Sequence, residues 1–293
     1  MNSLDPNNPL FARLREAPPA WWSALKNDKD LSVQVRKENY IDVYFNGGSI
    51  IRRLSYNRGG FSGEIHYKYV PLKGEAGGYV KFDFNNGVSI DQVNALPLNN
   101  FSPNVLREIK DNIGYHYPPE SEKGIQYSFI KNDPFYLDSE FQYYDSTQRK
   151  SIRIDLVRVD PSRSQIVFVE VKTMGDKRLY TNEIVEQLSS YNQFMLNYGT
   201  PLLSYYKKVF NIKRALGILP GGLTEININD YTLSAKTLLL FGDSQQEWIK
   251  SFAPVLDPKI RNHAVGCYYF GAPKYNCDIV DHTRGNRHIF LPS

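Results

Sequence analysis

Asp155, Glu170 and Lys172 carry the strongest chemical signal in the chain. SIRIDLV sets Asp155 in an otherwise apolar strand-like run, and FVEVKT does the same for Glu170 and Lys172. Side chains at i and i+2 of a strand share a face, so Glu170 and Lys172 project together. A carboxylate and an ammonium on one face of a hydrophobic strand are costly to bury unless they pair or bind a metal. If the two strands form a hairpin, Asp155 reaches the same edge. Two carboxylates converging there make an oxygen site suited to Mg²⁺ or Mn²⁺. No histidine or thiolate stands in this cluster, which argues against zinc there.

Such a set of groups suits phosphodiester hydrolysis. That reaction needs an activated water and relief of charge on a pentacovalent phosphorus. A metal held by Asp155 and Glu170 lowers the pKa of its water and screens the phosphate, with the Val171 carbonyl as a further oxygen ligand. Lys172 then orients the water or stabilises developing negative charge.

Asp155 followed by Glu170-Val171-Lys172 resembles the core of the PD-(D/E)XK nuclease superfamily, which includes restriction endonucleases, Holliday-junction resolvases and RecB-type exonucleases. The proline of that motif is missing here, because Ile154 precedes Asp155. Glu140, in LDSEFQ, sits where the family often carries another acid, and the resemblance implies a secondary metal or water ligand. Downstream, Gln187-Leu188-Ser189-Ser190-Tyr191 resembles the QxxxY motif of the RecB-like branch, whose residues support the site and touch nucleic acid. Gln187 and Tyr191 are four apart, so a helix sets them on one face. The resemblance covers about 135 to 200. It implies a restriction-endonuclease-like α/β fold, a Mg²⁺ or Mn²⁺ cofactor and DNA as substrate, with RNA left open.

Each of these residues also has a plainer reading. Glu170 and Lys172 can be a solvated cross-strand ion pair. Glu140 can be an ordinary edge-strand carboxylate, Tyr191 a core residue and Gln187 a helix-surface residue. Lys177 and Arg178 follow the strand and can grip phosphate, or belong to a solvated loop. Arg149, Lys150, Arg153 and Arg158 alternate near Asp155 as a basic wall or as water-facing strand charges. Cys267, Cys277, His282 and His288 fit no compact zinc pattern. His66 and His116 show no partner in the sequence, and Gly221-Gly222 lacks the spacing of a phosphate loop.

The elements that must position these residues can be read from the pattern. Residues 1 to 30 read as a peripheral arm broken by proline and asparagine, with Trp21-Trp22 anchoring a short helix. Over 31 to 72, SVQVRK, NYIDVYF, SIIRRLSY and GEIHYKYV alternate as strands, with glycine-bearing turns at 46–48 and 57–60. These predict an antiparallel meander. Residues 73 to 100 are loop-rich, with one strand at YVKFDF, and a helix covers 103 to 113 behind Ser102 and Pro103. Three strands follow, PFYLDSEFQYY, SIRIDLVRVD and QIVFVEVKTM, the last two joined by a turn at Asp160-Pro161-Ser162-Arg163. Helices are expected over 181 to 197 and 202 to 216. The strands TLLLFGD and AVGCYYFG flank a helix near 244 to 260. The order predicts a mixed α/β core over 116–293, preceded by an arm and β-rich region over 1–115.

Composition bounds the answer without deciding it. Hydrophobic residues make up 41% of the 293 and charged residues 23%, ordinary for a globular chain with a real core. No apolar run of about 18 residues suggests a membrane helix. The first residues lack the pattern of a secretory signal, and two cysteines suit a reducing cytosol, so a cytoplasmic protein is expected. The net charge of +4 is too small to mark a nucleic-acid binder and does not exclude one.

These readings converge on a Mg²⁺-dependent nuclease acting on DNA. Asp155 and Glu170 hold metal, Lys172 assists the water, Glu140 supports, and Gln187 and Tyr191 position the strand. The alternative is a catalytically silent nuclease fold that binds nucleic acid or protein in a defence or repair complex. The N-terminal meander and Trp21-Trp22 are candidates to recognise a partner protein or to extend the binding surface. A homodimer is a further candidate, because many enzymes that cut both strands are dimers.

Overall fold

Alternation of buried and exposed residues builds two sheets, each with helices of its own. The computed structural model describes residues 4–70, 78–83, 102–119, 121–145, 150–242, 246–270 and 289–290. Arg149, Cys277, His282, His288 and most of the loop-rich stretch lie outside them. The chain divides into two compact units, one of 1–118 with 208–219, the other of 119–207 with 220–293.

In the first unit, five strands run β1 (Ser32–Arg36), β2 (Tyr40–Phe45), β3 (Gly48–Asn57), β4 (Gly60–His66) and β5 (Tyr79–Asp83). They pair in chain order, every neighbour antiparallel. The two tight turns have consecutive positive φ, Asn46 (45°) with Gly47 (84°) and Arg58 (51°) with Gly59 (85°). That is the twist a two-residue hairpin needs. Gly48 is required for a different reason: a Cβ there would come within 2.6 Å of Ile113 Cγ2. Ile113 lies on α3 (Pro103–His116), which begins behind Ser102 and runs three residues past its expected end.

The expected arm holds two short helices, α1 (Pro9–Glu16) and α2 (Ala20–Asn27), the second being the short helix expected at Trp21-Trp22 and the first unforeseen. The Asn8 side chain accepts from the Leu10 amide and Pro9 takes the first turn, so residues read as breakers are helix-start signals. Leu10, Phe11, Leu14, Trp21, Trp22 and Leu25 are buried. At about 1.5–3 kcal/mol for each fully buried large apolar side chain, these helices are part of the core.

The second unit holds α4 (Glu122–Asn132), β6 (Tyr136–Asp145), β7 (Lys150–Asp160), β8 (Gln165–Thr173), α5 (Glu183–Leu216), β9 (Thr232–Leu233), β10 (Thr237–Gly242), α6 (Gln246–Ile260), β11 (Ala264–Tyr269) and β12 (Ile289–Phe290). Its sheet is mixed, in the order β12-β11-β10-β8-β7-β6, with the short β9 also on β8. β6, β7 and β8 are antiparallel, while β8, β10 and β11 run parallel. Both central strands, β8 and β10, are almost wholly buried, as parallel strands covered on two faces must be. One face packs Leu156, Val169, Val171 and Leu240 under Ile125 and Phe129 of α4. The other packs Leu239 and Phe241 under Ile184 and Leu188 of α5 and Leu256 of α6.

Two helices were expected where one exists: α5 is continuous over 34 residues with Pro201 inside it. Its residues 208–216 belong to the first unit. Leu202, Tyr205, Tyr206, Val209 and Phe210 are all buried, and burial on that scale outweighs the roughly 3 kcal/mol penalty of an interior proline. Among the described residues no helix is long and apolar enough to cross a membrane.

Candidate active site

Asp155, Glu170 and Lys172 meet on the α5 face of the second sheet, where β7 and β8 part. The β7–β8 ladder runs inward from Asp160–Gln165 and has its last rung at Leu156–Val169. One step further the rung would be Asp155–Glu170. There the Asp155 side chain takes over from the backbone: its Oδ2 accepts the Val171 amide at 2.8 Å. An acid at this position keeps a buried donor satisfied while the strands diverge.

Glu170 and Lys172 are 3% and 2% exposed, so the solvated ion-pair reading does not hold. Lys172 donates to Glu170 Oε1 and lies 3.6 Å from Asp176 Oδ2. Glu170 Oε1 also accepts from Gln187 Nε2 at 2.7 Å. Its other oxygen, Oε2, is buried with no hydrogen-bond partner among the described residues, as is Gln187 Oε1. Each buried ion costs several kcal/mol, and a hydrophobic replacement of such a pair is often neutral or stabilising by about 1–4 kcal/mol. Stability is therefore no reason for these residues to be here.

The α5 helix supplies the backing. Gln187 Nε2 also donates to the Tyr191 hydroxyl at 2.8 Å, and that hydroxyl donates to the Arg153 carbonyl at 2.5 Å. Gln187 is thus neither a surface residue nor Tyr191 a core ring alone: the pair links β8 through α5 to the backbone of β7. Burial, and after it the Glu170 charge, pushes the Tyr191 phenol up. It stays a neutral donor at any ordinary pH.

Glu140 stands level with Asp155, between the rungs Ser139–Leu156 and Phe141–Ile154 of β6 and β7. Its φ is +56°, the left-handed region that a non-glycine residue enters at a cost of about 1–3 kcal/mol. Asp138 and Phe141 flank it. Tyr206 on α5 approaches both, its hydroxyl 3.5 Å from Asp138 Oδ2 and its ring 6.0 Å from that of Phe141. A regular period-two pleat does not aim residues three apart at one face; the left-handed Glu140 lies between them, while the register of β6 on β7 runs unbroken from Asp138 to Asp145. The Glu140 carboxylate accepts from Lys123 of α4.

Burial, and next the Glu170 charge, pushes the Asp155 carboxyl well above its usual range, against the Val171 amide and Lys172, which pull it down. Asp176 behaves oppositely. Burial raises it, but hydrogen bonds from the Arg178 side chain and amide, with the Lys172 charge, outweigh burial and hold it below the usual carboxylate range.

The basic residues are dispersed. Lys177 is exposed on the 3-10 turn Lys177–Tyr180, while Arg178 forks onto Asp176 at 2.9 and 2.6 Å and is neutralised there. The basic wall near Asp155 is not formed by Arg158, which is buried and paired with Asp133 at 2.8 Å. Its position two residues from the sheet's α4-facing Leu156 gives it an inward direction. Arg153 has an exposed side chain.

Two neighbours were not picked out in the sequence. Asp176 carried a signal: four residues after Lys172 and just before Lys177-Arg178, it caps the turn by accepting from the Arg178 amide. Lys123 carried none, since it is seventeen residues from Glu140 on another element. His66 accepts from the Lys68 amide through Nδ1 and lies in the first unit.

Among the described residues no group of three or more His, Cys, Asp and Glu side chains is arranged to hold a metal ion. The donor chemistry nonetheless suits a hard divalent cation: the Asp155 and Glu170 carboxylates repel each other's charge, and Glu170 Oε2 has no hydrogen-bond partner among the described residues. Comparison with protein-family models finds no match, and neither does comparison with curated proteins or with solved structures.

Proposed function

We propose that the chain is a Mg²⁺- or Mn²⁺-dependent nuclease of the PD-(D/E)XK kind, hydrolysing phosphodiester bonds in DNA. The observation that carries this reading is the convergence of Asp155 and Glu170 beside a buried lysine, with Glu170 Oε2 without a hydrogen-bond partner among the described residues. Asp155 and Glu170 would hold the metal, with Glu140 and the Val171 carbonyl as candidate further ligands. A bound divalent ion supplies an acidified water and charge neutralisation at phosphate.

The chain's own residues have distinct tasks in this reading. Lys172, held between Glu170 and Asp176, places one ammonium beside the carboxylates, where it stabilises negative charge building on phosphate oxygens. Gln187 and Tyr191 fix the orientation of Glu170 by hydrogen bonding. Lys177, exposed four residues beyond Thr173, is placed to attract the DNA backbone. The apolar residues around β8 keep bulk water from the ion pair, which strengthens its field.

The test is DNA cleavage in Mg²⁺ by the wild type, Asp155→Ala and Lys172→Ala. Activity in the wild type alone supports the proposal. Equal activity in the variants would remove these residues from the mechanism.

A second reading has its own support: a silent nuclease fold serving as a binding subunit. Each of the three carboxylates already has a protein partner, Val171, Lys172 with Gln187, and Lys123. Calorimetric titration with Mn²⁺ separates the two, since a silent scaffold gives no site-specific heat.

A further inference from the structure

The first unit leaves three large aromatic rings outside its core. Tyr67, Tyr79 and Tyr115 are 36%, 47% and 86% exposed. They are joined ring to ring. The His66 ring lies 5.1 Å from Tyr79, 4.9 Å from Tyr67 and 5.6 Å from Tyr69. Tyr69 leads on to His116 at 6.0 Å, and His116 to Tyr115 at 5.5 Å. Strand β5 and the 3-10 turn after β4 thus present one group of rings, and Tyr69, itself buried, connects it beneath the surface to the end of α3.

Cations are interleaved with these rings. The Arg52 guanidinium lies 4.3 Å from the centre of Tyr79, and Lys68 Nζ lies 5.1 and 5.0 Å from those of Tyr69 and Tyr117. Lys81 is exposed two residues along β5 from Tyr79, hence on the same face. Glu64 pairs with Arg52 at 3.5 Å and stands opposite Lys81 in the β4–β5 register, so it offsets part of this charge and leaves a net positive edge of Arg52, Lys68 and Lys81. Flat π-faces flanked by positive charge are complementary to one class of polymer, unpaired nucleotides, whose bases stack on aromatic rings while their phosphates meet the cations. A base-paired duplex hides its π-faces, and an apolar protein partner has no use for the charges.

We propose that this face of the first unit binds single-stranded nucleic acid, with bases stacked on Tyr79, Tyr67 and Tyr115 and phosphates held by Lys81, Lys68 and Arg52. The proposal goes beyond the nuclease reading and does not rest on it. It involves none of the residues of the second sheet.

Fluorescence anisotropy of a labelled oligothymidylate with the full chain, in EDTA, tests it by binding alone. Wild type is expected to bind the oligothymidylate more tightly than an abasic strand of the same length. Tyr79→Ala and Tyr115→Ala should each weaken binding by about 5- to 100-fold, the range of one lost base stack, while Tyr79→Phe, which keeps the ring, binds as wild type. Both side chains are exposed, and a thermal melt verifies that each variant is folded. Absence of binding, equal binding of the abasic strand, or unaltered binding by both alanine variants would overturn the proposal. Cleavage in Mg²⁺ is not read, so this failure is distinct from failure of the nuclease assignment.

Discussion

Asp155 Oδ2 accepts the Val171 amide proton at 2.8 Å, one residue past the last backbone rung of β7 and β8. This bond ties a chemical group to a structural one. The acid that would bind metal also closes the gap where the two strands separate. It holds one oxygen fixed, and no bond to the other is found among the described residues.

Asp155 therefore costs the metal-free protein stability at neutral pH. Its folded pKa is raised by burial and by Glu170. Stability from such a group is fully present below the unfolded value near 3.8 and is lost as pH rises through the folded value. Asp155→Asn keeps an acceptor for Val171 and removes the charge. In EDTA it should melt above wild type at pH 8, by about 2–4 °C for each kcal/mol relieved, with the gap closing towards pH 4. Melting curves across that range check the sign.

The same proton competes with metal. Mn²⁺ affinity should rise with pH below the folded pKa of Asp155, by up to about tenfold per unit for one displaced proton, and flatten above it. Calorimetry in buffers of differing ionisation enthalpy would count the proton released. A pH-independent affinity contradicts the assignment of Asp155 as a ligand.

Lys172→Met should destabilise the protein by about 3–5 kcal/mol, because it leaves buried Glu170 without its cation. Adding Glu170→Gln should restore most of that loss while activity stays absent. Urea unfolding of the single and double variants reads the coupling; a double variant no more stable than Lys172→Met would show that the pair is not coupled.

Tyr191→Phe removes the hydroxyl that receives Gln187 and donates to Arg153. The expected stability loss is about 1 kcal/mol. Metal affinity or turnover should fall about 10- to 100-fold, as for other groups that orient a ligand. A loss of stability alone, with affinity and turnover unchanged, would make Tyr191 merely structural.

The site was legible in the sequence because its signal is local. Period two aligns Glu170 with Lys172, and a charged residue stands out in the apolar context of β7 and β8. Hairpin pairing then delivers Asp155. What escaped depends on tertiary terms. The left-handed Glu140 carries no glycine to announce it. Helix α4 buries Gly124 and Gln126 beside Ile125 and Phe129, so its apolar stripe is blurred. Arg158 reads as a surface charge until Asp133, twenty-five residues away, is seen to neutralise it. The Gly199-Thr200-Pro201 segment has every local mark of a helix end, yet the residues after it are buried and the helix continues.

The most direct test of a metal-dependent nuclease at this site is a time course of DNA cleavage, on single-stranded and duplex circles, by wild type and the isosteric Glu170→Gln. With Mg²⁺ or Mn²⁺ the wild type should cut at least one substrate, EDTA should abolish cutting, and Glu170→Gln should lose it while remaining folded. Cleavage by Glu170→Gln at the wild-type rate, or no cleavage by wild type in the presence of either metal, would contradict a metal-dependent nuclease built on Asp155, Glu170 and Lys172.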